Sequence, residues 1–69
     1  MKEKFGDRLR ELRQKSGLST RRLADKLDIS NACVCMWETG NRYPKADSII
    51  VLADIFGVTT DYLLGRTEE

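Results

Sequence analysis

Residues 19–40 read STRRLADKLDISNACVCMWETG, and this stretch decides the fold. Apolar residues recur at helical spacing on both sides of a short break, which predicts helices over residues 20–27 and 31–39. Serine, found just before each of them, is a good N-cap residue. The connection between the two helices has the length of a helix-turn-helix corner. Asp28 lies in that corner, where a positive φ is often needed, and aspartate tolerates that conformation better than most residues.

The second of these helices has two unlike faces. At about 100° per residue, Cys33, Val34 and Trp37 fall on one face, and we expect Trp37 to anchor the core. The opposite face is small and uncharged, with Asn31, Ala32, Cys35, Met36 and Thr39. A helix face that meets only water usually carries Lys and Glu. The pattern therefore favours a face that closely approaches another surface.

The two cysteines of this helix do not indicate a metal or redox site. Cys33 and Cys35 point about 200° apart on the helix, so a disulfide between them would require the helix to unwind. Structural zinc takes four ligands, and the chain has no histidine. We expect Cys33 to be a small core residue and Cys35 a small outward residue, with no metal and no cofactor.

Outside the quoted stretch, three more helices are predicted. Apolar residues at helical spacing place one before Gly17 and two over residues 46–56 and 60–64. In the first of these helices, Arg10 falls opposite the apolar stripe, on the side expected to face water. No strand, repeat or linker is evident, so we expect an all-α fold, a compact five-helix bundle. We expect one domain over residues 1–65, followed by a frayed tail over residues 66–69.

Length and composition exclude several classes of protein. The 69 residues suffice for one domain and leave no room for a deep catalytic cleft. There is no histidine and no glycine-rich phosphate loop, so an enzyme is not expected. No apolar run approaches the ~20 residues of a membrane span, and the N-terminus lacks the apolar core of a signal peptide. The expected location is the cytoplasm, with no membrane partner.

Charge is distributed unevenly along the chain. The formal net charge is +1, but residues 1–34 carry nine basic and five acidic side chains, whereas residues 35–69 carry three basic and six acidic ones. The first half is therefore able to face a polyanion. Ordinary solvated helix faces explain the same charges equally well, so charge alone leaves both interpretations open.

The order and spacing of several short motifs resemble one known family. The motifs are FGDRLRELRQKSGLS, RRLADKLDIS, WETGNRYP and LADIFGVTTDYLLG, and they are spread between residues 5 and 65. Together they resemble the Cro/phage-repressor helix-turn-helix family, also called Xre-like, whose fold is a lambda-repressor-like five-helix bundle. The resemblance implies a transcriptional regulator, a repressor, that binds a double-stranded DNA operator. It further implies a homodimer, which we expect to form through the helix 4/helix 5 region.

The resemblance also implies roles for individual residues. The third helix would enter the major groove and read bases with Asn31, Ala32, Cys35 and Met36. The DNA backbone would be contacted by Ser19, Thr20, Arg21, Ser30, Thr39, Asn41 and Arg42. A partly buried ion pair between Arg13 and Glu38 would support the reading helix and orient Arg13 toward a phosphate. Where the family usually has glycine in the corner, this chain has Asp28.

A protein-interaction module is the alternative function. The same fold can lose DNA binding and keep a partner surface, and an antitoxin combines both roles. The last two helices carry more apolar surface than one small core needs, at Val51, Phe56, Val58, Tyr62 and Leu64. That surface would form a homodimer contact or dock another domain.

Overall fold

The computed structural model describes residues 2–67, which form five helices and no strand. The helices are α1 (Lys2–Lys15), α2 (Thr20–Leu27), α3 (Asn31–Thr39), α4 (Ala46–Phe56) and α5 (Thr60–Leu63). The predicted all-α five-helix architecture is confirmed, and α5 ends one residue before its predicted end. None of the helices in residues 2–67 has the length and apolar character needed to cross a membrane. Predictions that concern residues 1, 68 and 69 lie outside the described residues.

Hydroxyl side chains define where α2, α3 and α5 begin. Ser19 Oγ accepts a hydrogen bond from the backbone N–H of Arg22 at 3.1 Å. Ser30 Oγ accepts one from the N–H of Cys33 at 3.2 Å, and Thr59 caps α5 in the same way. Each bond satisfies a backbone donor that has no partner within its helix. The Ser30 cap thus fixes the point where the corner ends and α3 begins.

A single core lies between the helices, and every helix contributes to it. Its buried apolar residues are Phe5, Leu9, Leu23, Ala24, Val34, Trp37, Leu52, Ala53 and Leu63. Three residues of the predicted apolar surface in the last two helices pack half-buried against this core, namely Phe56, Val58 and Leu64. Part of that apolar surface is therefore covered by the core, whereas Val51 remains exposed.

The corner between α2 and α3 has the positive φ that the sequence predicts. Asp28 has φ 58° and ψ 45°, and it is the one residue other than glycine with positive φ in residues 2–67. The N–H of Ile29 reaches back to the carbonyl of Ala24 at 3.0 Å. This bond is typical of a helix end closed by a left-handed residue, and it brings Ile29 against the core.

We expect Asp28→Gly to stabilise the fold by about 0.5–1 kcal/mol. A left-handed conformation costs an L-residue about 1–2 kcal/mol, and the larger backbone entropy of unfolded glycine offsets part of the gain. Thermal unfolding of the two proteins measures the difference. Asp28→Ala is the control, because alanine loses aspartate's tolerance of this conformation and should destabilise. A gain in stability with alanine equal to that with glycine would contradict the explanation.

The segment after α5 is fastened to α1. Arg8 Nη1 donates hydrogen bonds to the carbonyl oxygens of Tyr62 and Thr67, both at 2.8 Å. The guanidinium also lies over the ring of Tyr62, 4.2 Å from its centroid. Arg66 N–H donates to the carbonyl of Asp61 at 2.8 Å. Residues 66 and 67, predicted to lie in the tail, thus make defined bonds, and the domain boundary at residue 65 stays a prediction.

Candidate nucleic-acid interface

The two sides of α3 lie in different environments. Val34 is fully buried and Trp37 is 4% exposed, so this side is fixed in the core. Asn31, Ala32 and Cys35 are exposed on the other side, together with Thr39. Met36, predicted to point outward, is half-buried at the edge of that side. The orientation is the one that the helical wheel predicts, with the indole inside and Asn31 outside.

No charged side chain lies on the outer side of α3. The helix carries one charged residue, Glu38, and it is only 7% exposed because it turns toward α1. An uncharged surface loses little hydration energy when another molecule approaches, and it offers no carboxylate to repel an anion. At the start of this side lies the exposed Asn31 amide, which has both a donor and an acceptor.

The predicted ion pair between Arg13 and Glu38 is present. Arg13 Nε donates to Glu38 Oε2 at 2.6 Å, and Nη2 donates to Oε1 at 3.2 Å, so the contact is bidentate. Arg13 Nη1 donates to the carbonyl of Leu18 at 2.9 Å, just before α2. The hydrogen bonds that Arg13 donates to Glu38 raise the pKa of Arg13 above its ordinary value, against the opposing effect of burial. Arg13 therefore stays charged and joins α1, α3 and the start of α2.

Arg10 is a third member of this cluster, and the sequence placed it in water. Its Nε donates to Glu38 Oε1 at 3.4 Å, and its Nη2 donates to the Glu38 carbonyl at 3.4 Å. Its side chain is 44% exposed, compared with 13% for Arg13. The spacing of Arg10 and Arg13 was the signal that could have found this contact, because residues i and i+3 of a helix share a face. Two guanidinium groups share one carboxylate, so the cluster carries a net positive charge.

Gly6 is a second residue that sequence reasoning missed. A Cβ atom at this position would lie 2.5 Å from the carbonyl oxygen of Glu38 and 3.0 Å from that of Trp37. The backbones of α1 and α3 therefore touch at this point, with no space for a side chain. A glycine in the interior of a helical pattern was the signal that could have found this contact.

The predicted backbone-contacting residues lie in two groups at the helix ends. Ser19, Thr20 and Arg21 lie at the start of α2, where Thr20 is half-buried and Arg21 is exposed. Ser30 caps α3, and its hydroxyl hydrogen is not used by that cap, in which the oxygen accepts. The start of each helix therefore offers a hydroxyl donor beside free backbone N–H groups.

The second group follows α3. Thr39 Oγ1 donates to the carbonyl of Cys35 at 3.0 Å, and Asn41 Nδ2 donates to Thr39 Oγ1 at 3.1 Å. The hydroxyl hydrogen of Thr39 is thus engaged within the helix, whereas one N–H of the Asn41 amide remains for another acceptor. Arg42 is exposed. The structure joins Thr39 and Asn41 directly and places Arg42 next to them in the chain.

The cysteines are both free thiols, with Cys33 half-buried against the core and Cys35 exposed. In the part of the chain that the structure describes, no three His, Cys, Asp or Glu side chains come together as metal ligands would. The geometry of α3 is therefore that of a packed helix with one open face.

Known proteins are similar to almost the whole chain. Residues 4–64 match the family described as a helix-turn-helix domain. The chain is 41% identical over 64 residues to the HTH-type transcriptional regulator ImmR of Bacillus subtilis. The aligned residues cover 93% of this chain and 50% of ImmR. It is also 41% identical over 63 residues to the HTH-type transcriptional regulator AnsR of the same organism, covering 91% of this chain and 54% of AnsR.

A solved structure has the same arrangement of helices. The S. venezulae BldD DNA-binding domain matches with a TM-score of 0.76 and 28% identity, covering 90% of this chain and 93% of that chain. The chain spans about half the length of the curated relatives ImmR and AnsR. From its sequence match and its five helices, the chain belongs to the helix-turn-helix domain family, in the Cro/phage-repressor or Xre-like class.

Proposed function

We propose that this chain binds double-stranded DNA in a sequence-specific manner and regulates transcription, with α3 in the major groove. The observation that carries the proposal is the uncharged outer side of α3, fixed by Val34 and Trp37 on its inner side. A major groove admits an α-helix, and a helix held firmly in the core presents its side chains in fixed positions. The regulators and the DNA-binding domain to which the chain is similar support the same function.

Asn31 is the residue best suited to read a base. It is the first residue of α3 and it is exposed, and its amide matches the donor and acceptor of adenine N6 and N7. Ala32 and Met36 provide apolar contact for thymine methyl groups, and Cys35, three residues after Ala32, adds a small exposed side chain beside them. These four residues form the proposed reading surface.

Phosphate contacts would supply most of the affinity. Ser19, Thr20 and Ser30 offer hydroxyl groups at helix starts, and Arg21 adds a charge beside the first of them. At the end of α3, Asn41 and Arg42 are better suited to contact a phosphate than Thr39 is. The Thr39 hydroxyl already donates within its own helix. The three donors of Arg13 given above also bond inside the protein, so its proposed contact with a phosphate would use its remaining N–H groups.

Two copies are expected on an operator with two half-sites, and they would meet through the α4–α5 region. Helix-turn-helix dimers bind half-sites about 34–36 Å apart, so the symmetry of the site reports the symmetry of the protein. Such a regulator acts in the cytoplasm, and repression is the expected outcome of binding.

Salt dependence tests whether the chain binds DNA at all. Duplexes selected from random sequences supply the site, and fluorescence anisotropy measures affinity at two salt concentrations. If Arg21 and Arg42 of two copies each contact a phosphate, affinity should fall about a hundredfold between roughly 50 and 200 mM salt. A protein-only module would bind weakly at either concentration, and this result would reject the proposed function.

Substituting Asn31 should separate base reading from backbone contact. We expect Asn31→Ala to weaken binding to the selected site by about 2 kcal/mol and to relax preference at one base pair. The matched control is Asn41→Ala, which should weaken binding to all sequences alike and leave the salt dependence unchanged, because a neutral amide displaces no counterion from the phosphates. Affinity is measured on the selected duplex and on single-base variants of it. Wild-type affinity in the Asn31 variant would show that Asn31 reads no base.

A further inference from the structure

The outer face of α4 carries four exposed residues in one line. Asp47, Ile50, Val51 and Asp54 follow the spacing i, i+3, i+4 and i+7, which places them within about 100° of arc. Ile50 is 54% exposed and Val51 is 42% exposed. Two β-branched apolar side chains are thus bracketed along the helix by two carboxylates. These four residues are called the α4 stripe below.

Neither the fold nor helix propensity explains the apolar part of the stripe. Leu52 and Ala53 are the buried residues of α4, and they lie on the inner side of the helix, in the core. On exposed helix positions, unbranched or charged residues favour the helix more than isoleucine and valine do. Apart from Tyr43, Ile50 and Val51 are the large apolar residues that residues 2–67 leave exposed. Their presence on the surface favours contact with something outside the domain.

The helix dipole explains one of the two carboxylates of the α4 stripe and not the other. Asp47 lies in the first turn of α4, where the helix dipole favours a carboxylate. Asp54 lies in the last turn, where the same dipole disfavours one, and that turn has no basic residue. Among the described side chains, those of residues 5–67, none forms an ion pair with either carboxylate. Asp54 therefore suits a cation supplied from outside the chain.

A second copy of the chain is a poor occupant of the stripe. In an antiparallel two-fold contact between two α4 helices, Ile50 would meet Val51 of the other copy, and Asp47 would meet Asp54 twice. In a parallel contact, each aspartate would meet its own equivalent. Either direction sets carboxylate against carboxylate, and like charges across an interface are unfavourable. The α4 stripe therefore fits a surface of opposite charge.

We propose that the α4 stripe docks an amphipathic helix of a partner protein. That helix would place aliphatic side chains against Ile50 and Val51, with a lysine or arginine about one turn to each side for Asp47 and Asp54. The contact is small, so it is weak and transient. It goes beyond DNA binding and does not depend on it. Because a second copy fits the α4 stripe poorly, the proposed homodimer contact would lie on the α5 side of the α4–α5 region.

Synthetic helices test the charge preference of the stripe. One peptide carries two isoleucines on one face, with a lysine one turn before and another one turn after them, and the second peptide has glutamates instead. Both are titrated into the whole chain while amide chemical shifts are followed by NMR. We expect the lysine peptide to shift α4 amides and to bind about tenfold more tightly than the glutamate peptide. The doubly substituted Asp47→Lys/Asp54→Lys protein should reverse that preference.

A single substitution tests the stripe without any peptide. Asp54→Lys would set an ammonium against Asp47 of a second copy at both ends of the antiparallel contact, and it also suits the end of the helix. We expect this variant to self-associate about tenfold more tightly than the wild type in analytical ultracentrifugation. Asp25→Lys makes the same charge change on the exposed surface of α2 and is the matched control.

Three results would overturn the proposal. They are equal binding of the two peptides, shifts confined to helices other than α4, and an Asp54→Lys variant that associates no more than Asp25→Lys. Circular dichroism of each variant verifies that it is folded. If Asp54→Lys were unfolded, the peptide comparison on the wild-type chain would decide the matter alone. None of these measurements involves DNA, so the two proposals fail separately.

Discussion

Replacing Glu38 with glutamine is expected to destabilise the fold by about 3 kcal/mol. The side chain of Glu38 is 5% exposed and neutralises Arg13, which is itself only 13% exposed. Removing one partner of a buried pair leaves the other charge without compensation, which costs about 3–5 kcal/mol. We expect the lower end of that range, because Arg10 is 44% exposed and can turn into water. In a domain of this size, the melting temperature should fall by roughly 12–24 °C.

The matched control is Glu11→Gln, the same chemical change at an exposed position of α1. It should alter the free energy of unfolding by no more than about 0.5 kcal/mol. Chemical denaturation of the two variants gives the comparison. Equal midpoints would mean that the Arg13–Glu38 pair contributes nothing to the link between α1 and α3. DNA affinity, measured at a temperature where the Glu38 variant is folded, should also fall, because the pair fixes the end of α3.

The helices were predictable because their signals are local. Ser19 and Ser30 precede α2 and α3 directly, and the N-cap bonds that they form span three residues. The two faces of α3 also follow from the spacing of a few neighbours, with Trp37 inside and Asn31 outside. Local hydrogen bonds and helical periodicity act within one or two turns, so a single sequence contains them in full.

The contacts between helices were less predictable because they join residues far apart in the chain. Arg10 was assigned to the solvent side of α1, yet it contacts Glu38, which lies 28 positions later. The spacing of Arg10 and Arg13 shows that they share a face, but it does not show which helix packs against that face. The resemblance to a family supplied the Arg13–Glu38 pair and gave no information about Arg10.

The apolar surface of the last two helices shows the same limit. Val51 and Phe56 were predicted to belong to one surface, because both are apolar residues of α4. In the fold, Phe56 packs against the core, whereas Val51 joins Ile50 on the outer side. The inner side of α4 depends on where α5 and α1 lie, and composition does not specify this. Helical spacing alone places Ile50 and Val51 on one face of α4, but only the fold shows that this face is exposed.

Gly6→Ala provides the sharpest test of how closely α1 and α3 pack. Helix propensity alone predicts that alanine in the interior of α1 stabilises the protein by about 1 kcal/mol. The packing predicts the opposite sign, because the new Cβ would lie 2.5 Å from the carbonyl oxygen of Glu38. That oxygen belongs to the backbone, so no side-chain rotation relieves the clash, and α1 must move away from α3. We expect a net destabilisation of about 3 kcal/mol, the upper part of the range for overpacking.

Denaturant unfolding of Gly6→Ala measures this sign directly. Gln14→Ala, at an exposed position of the same helix, should change stability by no more than about 0.5 kcal/mol. A displaced α1 would also lengthen the contact of Arg10 with the Glu38 carbonyl, now 3.4 Å, and thereby weaken the ion cluster. The losses in Gly6→Ala and Glu38→Gln should therefore not add in the double variant, because both act on the same junction. Full additivity would show that the close backbone contact and the ion cluster stabilise the α1–α3 junction independently.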